Sequence, residues 1–191
     1  VNHIYQNIHG WFDYEECFQK AVETCPENGK IVELGCWKGK SSTFLVTEAL
    51  NSGKNMEIHF VDTWTGSPEH LNPDEGAYEE GLVEDPDFVY KIFLDNINKI
   101  DYPKNIHRMH TFQATKLFEN NSIDFLFIDT AHEFKHVEKE ISLWYPKVKS
   151  GGIIAGHDYF YPGVMRAVKD FSTKCDIPIR ISNSSWIGVK P

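Results

Sequence analysis

Short apolar runs that end on a glycine or an acidic residue alternate along the chain with longer stretches whose apolar positions recur at helical spacing. Ile31-Val32-Glu33-Leu34, ending at Gly35, predicts a buried strand, and Ser41–Leu50, with Phe44, Leu45 and Ala49 at helical intervals, predicts the helix after it. Ile58–Val61 is a second strand, ending at Asp62. Residues 63–87 hold Gly66, Pro68, Pro73 and Gly76 and read as a long loop or insertion. Phe88–Ile100 is a helix with Val89, Ile92, Phe93, Ile97 and Ile100 on one face, Ile106–His110 a third strand and Thr115–Glu119 a short helix. Ile123–Ile128, ending at Asp129, is the strongest strand signal, and Glu133–Tyr145 is an amphipathic helix stopped by Pro146. Gly151–Gly156 is a turn running into a strand that ends at His157-Asp158, and Val164–Thr173 is a helix. Ile177–Ile181 and Trp186–Val189 predict a closing hairpin.

Strands alternating with helices predict an α/β fold, a Rossmann-like and mostly parallel sheet with helices on both faces. Ligands of such sheets gather beyond the carboxyl ends of the strands. Gly35, Asp62, Asp129 and His157-Asp158 all fall at those ends, so residue types that carry chemistry coincide with the ligand crevice.

Composition narrows the class. The 191 residues suit a single domain, 1–191, and 41% hydrophobic with 25% charged residues is ordinary for a globular chain. No apolar run approaches the roughly 20 residues of a membrane span. Val1-Asn2-His3-Ile4 has no basic stretch leading into an apolar one, so no secretory signal is expected. The cysteines Cys17, Cys25, Cys36 and Cys175 form no C-x-x-C pair and read as reduced thiols of a cytoplasmic protein. A formal net charge of -9 argues against a nucleic-acid partner.

Glu33-x-Gly35-x-x-x-Gly39 follows a strand and opens a helix. Gly35 permits a tight turn, Gly39 lets backbone approach a ligand, and Ser41 and Ser42 offer hydroxyls at the helix start. The pattern is neither G-x-G-x-x-G nor G-x-x-x-x-G-K-[ST], and a glycine pair after a strand is often a plain turn. Asp62, at the end of the second strand, suits ribose hydroxyls; its ordinary role would be a helix or turn cap.

On these residues a resemblance rests. IVELGCWKGKSSTFL resembles motif I of the class I S-adenosylmethionine-dependent methyltransferases. FVDTWTGSPEH, IDFLFIDTAHEFKHVEKEISLWYPKVKSGGIIAGHDY and GVMRAV are similar, in order, to the branch related to metal-dependent O-methyltransferases of macrolide sugars, over about residues 11–175. The resemblance implies a seven-stranded sheet with an antiparallel last strand and S-adenosylmethionine as cofactor. It further implies Glu33, Gly35 and Gly39 along the methionine side, Trp37, Lys38, Ser41 and Ser42 nearby, Asp62 on the ribose, and Thr111 and Phe112 beside the adenine.

Asp129, His132, His157 and Asp158 come from the ends of two strands expected to be neighbours, and carboxylate oxygens suit a hard cation such as Mg2+. The resemblance implies a metal at Asp129, His157 and Asp158 and a catalytic histidine at His132. His157 stands where the sugar methyltransferases carry a carboxylate, which favours manganese, iron or zinc over magnesium. Thr130 and Ala131 also replace the family's usual Gly or Asp types. In this reading the metal lowers the pKa of an acceptor hydroxyl and His132 takes the proton; the ordinary role of a lone histidine there is to cap a loop. Two competing readings share these residues. His132-Glu133-Phe134-Lys135-His136 fits the H-E-x-x-H helix of zinc hydrolases, with His157 as a third ligand, but it leaves the glycine loop and Asp62 without a role. A methyltransferase-like fold can also bind a nucleoside without turnover.

The expected acceptor is a small molecule or sugar, with no nucleic acid and no membrane, and the chain is compatible with a homo-oligomer. Aromatic residues make up 14% of the chain. Trp64, Tyr159, Phe160 and Tyr161 are candidate pocket walls, whereas Trp144 reads as packing. The acidity is local: residues 62–101 carry 11 acidic and two basic residues, and the remainder balances at 17 of each. Such a segment reads first as a solvated face and second as a lid that disfavours anionic acceptors.

Overall fold

The computed structural model describes residues 1–191. In chain order its helices and strands are α1 (Glu15–Thr24), β1 (Lys30–Leu34), α2 (Lys40–Ser52), β2 (Glu57–Asp62), α3 (Pro68–Leu71), α4 (Glu80–Glu84), α5 (Phe88–Ile97), β3 (Asn105–Arg108), α6 (Thr111–Ala114), β4 (Ile123–Ile128), α7 (Phe134–Trp144), β5 (Val148–Gly156), α8 (Pro162–Cys175), β6 (Ile179–Ser182) and β7 (Ser185–Val189). The strands form one seven-stranded sheet in the order β3-β2-β1-β4-β5-β7-β6. The first five are parallel, and β7 runs antiparallel to both β5 and β6. This is the Rossmann-like sheet with an antiparallel last strand that the sequence led us to expect.

Alternation along the central strands divides the core. Ile31, Phe125 and Phe127 pack with Phe18, Phe44, Leu45 and Phe93 beneath α1, α2 and α5. Val32, Leu34, Leu126 and Ile128 pack on the other face with Trp144, Val164 and Val168 of α7 and α8. Each large apolar side chain buried in this way contributes about 1.5–3 kcal/mol. No helix is long and apolar enough to cross a membrane.

The structure departs from the sequence expectations in four places, one being that the short helix expected at Thr115–Glu119 is α6 at Thr111–Ala114, followed only by a 3-10 turn at Thr115–Leu117. Helix α1 was not anticipated, although Cys17, Phe18, Ala21 and Val22 form its buried stripe. The 63–87 segment is not a bare loop, because it folds into the short helices α3 and α4. Strand β5 begins at Val148, ahead of the glycines; Gly151 adopts φ 77°, and the β4–β5 register shifts between Ile123 and Phe125.

The sheet reverses its strand order between β1 and β4, the topological switch point where such folds open a crevice. There the chain turns at Gly35 (φ 81°), where a Cβ would lie 1.7 Å from the Asp129 carbonyl oxygen. Gly35→Ala should therefore destabilise the fold by about 2 kcal/mol or more. Gly76→Ala, whose Cβ meets nothing within 4 Å, should be near neutral. Urea denaturation midpoints of the two variants check this.

Candidate functional site

A cleft of about 1210 Å³ opens over the carboxyl ends of β1, β2, β4 and β5. Pockets for one small ligand span roughly 300–1,000 Å³, so this one has room for two.

On the β1 side Gly35, Trp37 and Ser41 line the cleft. Glu33 is fully buried beneath the loop, its two oxygens accepting from Ser41 Oγ (2.5 Å) and Ser42 Oγ (2.7 Å). Burial pushes its carboxyl up to about 8, against the serine hydroxyls, which act to lower it. Gly39 and Ser42 also lie behind the lining, and Lys38 is buried in an ion pair with Glu79 of the acidic segment. Asp62 lines the cleft and braces the loop as well. Its Oδ2 accepts from the amides of Cys36 (2.8 Å) and Trp37 (3.0 Å), and its Oδ1 accepts from the amide of Trp64 (2.8 Å). A carboxylate has about four acceptor sites, which leaves about one for a ligand hydroxyl.

Trp64 does not form a wall. A left-handed turn (φ 55°) sends it under the loop, where it is fully buried on Tyr90 and Phe93 and its Nε1 donates to the Trp37 carbonyl (2.9 Å). The wall is built instead by Trp11 and by His70, which stacks on Trp37 at 4.0 Å. Tyr161 also lines the cleft, whereas Phe160 is exposed and Tyr159 packs against the α7–α8 core. Trp144 is core, as expected.

At the opposite end Thr111 and Phe112, opening α6, line the cleft beside His110 and His136. Beneath them lies the fully buried Glu140 of α7, which accepts hydrogen bonds from Thr111 and from Thr130 (2.5 Å). Burial raises its carboxyl to about 7.

The ends of β4 and β5 bring Asp129, His157 and Asp158 together, with one potential ligand atom of each within 4.8 Å of the others. Nδ1 of His157 is 3.3 Å from Asp158 Oδ2 and 3.6 Å from Asp129 Oδ1. Metal–ligand distances of about 2.1 Å give ligand-to-ligand edges of about 3.0–3.4 Å. The 3.3 Å separation falls inside this range and the 3.6 Å one just beyond it, so a small side-chain adjustment would let this mixed nitrogen–oxygen set hold a divalent cation. Each of the three groups also has a partner behind it. Tyr14, wholly buried, donates its hydroxyl to Asp129 Oδ2 (2.9 Å); His157 Nε2 meets Asp13 Oδ1 (2.9 Å); His132 Nε2 meets Asp158 Oδ2 (2.8 Å). Burial opposes a charge on His157, but the adjacent carboxylates of Asp129 and Asp158 outweigh it and push the ring up to about 11. The bond to Asp158 likewise raises His132 against burial. Asp158, itself in a left-handed conformation (φ 57°), is held well below the usual carboxylate range by the two histidines despite its burial. Sequence reasoning missed Asp13 and Tyr14, since nothing local marks a contact more than a hundred positions away.

His132 precedes α7, and a Cβ on Gly163 would come within 2.1 Å of its carbonyl oxygen, so α8 clamps this loop. The H-E-x-x-H residues consequently do not share one helix. His132 stacks on Tyr161 (4.2 Å), and His136 packs on Phe112 (4.8 Å).

A family model for a methyltransferase domain matches residues 32–159, and the chain belongs to that family. It is a class I S-adenosylmethionine-dependent methyltransferase domain. No curated protein sequence matches it. Among solved structures it is similar to the O-methyltransferase NovP, with a TM-score of 0.69 at 17% identity over 92% of this chain and 78% of that one. CalS11, a calicheamicin methyltransferase, gives 0.61 at 14% over 92% and 76%; it is a TDP-rhamnose 3'-O-methyltransferase. A methyltransferase from Geobacter sulfurreducens gives 0.60 at 12% over 95% and 79%. At these identities the likenesses speak to the fold.

The buried Glu33 has a consequence for stability. From about pH 4.5 to 8 the unfolded chain ionises this carboxyl while the folded one keeps it neutral. Its contribution to stability therefore falls as pH rises, by up to roughly 1.4 kcal/mol per pH unit. Glu33→Gln imitates the neutral acid and should gain on the parent protein steadily toward pH 8. Melting curves across this range test it, and parallel pH profiles would refute it.

Proposed function

We propose that this methyltransferase transfers the methyl group of S-adenosylmethionine to a hydroxyl of a small molecule or sugar, with a divalent cation in the site. The observation that carries this reading is the meeting of Asp129, His132, His157 and Asp158 in the cleft that also holds the Gly35 loop. NovP and CalS11, both O-methyltransferases on this fold, support it.

In this reading Gly35, Trp37, Ser41 and Asp62 face the methionine and ribose, and Thr111 and Phe112 the adenine. Glu33, Gly39 and Ser42 shape the loop from behind, and Lys38 ties it to the acidic segment. The cofactor supplies a methyl already activated on a sulfonium, so the protein's task is alignment and deprotonation. A divalent cation held by Asp129, His157 and Asp158 supplies Lewis acidity that lowers the pKa of an acceptor hydroxyl. His132 has Nε2 committed to Asp158, which leaves Nδ1 to take the hydroxyl proton. Asp158 stabilises the imidazolium that results, and Tyr161 holds the ring in place. The new bond joins the acceptor oxygen to the methyl carbon, and the carbon–sulfur electrons return to a neutral thioether.

The acidic segment at about 63–87 is read as an insertion that walls the acceptor side, with Glu69 and Glu75 lining the cleft. It favours neutral or cationic acceptors over anionic ones.

His132→Ala should lower turnover by about 10²–10⁴-fold while calorimetry with S-adenosylmethionine shows cofactor affinity retained. Asp129→Ala should behave likewise. A wild-type rate for His132→Ala at neutral pH overturns the base assignment, and cofactor binding without transfer to any hydroxylic acceptor favours a non-catalytic protein.

A further inference from the structure

The ring of His157 is held from two sides. Nδ1 looks into the cleft toward Asp129 and Asp158, while Nε2 looks outward to Asp13 Oδ1 at 2.9 Å and Ser184 Oγ at 2.7 Å. Asp13 is itself fastened: Ser184 Oγ lies 2.7 Å from each of its carboxylate oxygens, and Asn183 Nδ2 donates to its carbonyl (3.1 Å). Asn183 and Ser184 form the two-residue turn between β6 and β7. An imidazole has one nitrogen for a metal and one for a hydrogen bond, and the partner of the second decides which nitrogen faces the metal. A carboxylate outside the ring, accepting from Nε2–H, makes Nδ1 the nitrogen that would exchange its proton, now directed at Asp129 and Asp158, for a cation.

We propose that Asp13, fastened by the Asn183-Ser184 turn, is a positioning residue that presents His157 Nδ1 to a divalent cation shared with Asp129 and Asp158. The inference rests on the metal-assisted reading above. It assigns a role to residues from outside the 32–159 stretch that the family model matches. The neighbouring Tyr14 performs the parallel service for Asp129, so two consecutive residues ahead of α1 orient two of the three ligands.

The test is Mn2+ binding to the chelator-stripped full chain, read by electron paramagnetic resonance of the free ion without cofactor or acceptor. The parent protein is expected to bind one Mn2+ and Asp129→Ala to lose it. Asp13→Ala is expected to weaken binding by about 10–100-fold, the range for loss of a ligand's outer hydrogen-bond partner. Asp13→Asn, which keeps an acceptor oxygen toward Nε2, should recover most of that loss, and Ser184→Ala should give a smaller weakening. A merely structural Asp13 would lower the melting temperature of Asp13→Ala and leave Mn2+ affinity unchanged. That result, or Asp13→Asn failing as badly as Asp13→Ala, overturns the positioning role while the metal reading stands. If Asp13→Ala does not fold, Ser184→Ala and Asp13→Asn decide the matter by the same titration. Failure of the parent protein to bind Mn2+ overturns the metal reading and this inference with it.

Discussion

The close passage of two backbones at the centre of the sheet sets everything in the cleft. Gly35 leaves β1 against the carbonyl of Asp129 as that residue leaves β4, with no space between them for even one carbon atom. Backbone hydrogen bonds fix the angle of departure of each loop. The amide of Gly35 donates to Val61, that of Asp129 to Leu34 and that of His157 to Ile128, at 2.8–3.0 Å. Each loop is thus anchored to the end of a neighbouring strand before any ligand is considered. The glycine loop diverges to one side of this crossing and the carboxylate–histidine loops to the other.

Two buried carboxylates stiffen the structure beneath the crossing. Glu33 gathers the hydroxyls of Ser41 and Ser42 at the start of α2, and Glu140 gathers those of Thr111 at the start of α6 and Thr130 in the loop after β4. A buried carboxyl group without hydrogen-bond partners would be destabilising, so each of these clusters ties its acid to the segments that supply the hydroxyls. The floor of the cleft is a set of satisfied polar contacts, and its walls come from less regular segments, among them the acidic one.

Strand ends were legible in the sequence because a buried parallel strand is an unbroken apolar run, and its last residue is where the pattern stops. Gly35, Asp62, Asp129 and His157-Asp158 were found in that way. Side-chain direction was less legible. Glu33 lies within an apolar run and points into the layer under α2, and Trp64 follows a strand end but reverses through a left-handed turn. Lys38 looked like part of a ligand loop, and its partner Glu79 lies 41 positions away. Helix α1 did carry a readable signal, since Cys17, Phe18, Ala21 and Val22 are spaced to form one buried stripe. Asp13 carried none, because its significance lies in the β6–β7 turn and in His157.

That turn joins the assembly of the fold to the completion of the site. Ser184 and Asp13 are 171 positions apart, a span among the slowest kinds of contact for a chain to close. A folding intermediate with β1 to β5 in place would already possess the glycine loop, Asp62 and Asp129. Asp13 could already meet the outer nitrogen of His157 there, but the Asn183-Ser184 turn that fastens Asp13 arrives only when the hairpin docks. The hairpin extends the sheet, and the same docking brings Asn183 and Ser184 onto Asp13, and so onto the back of the site.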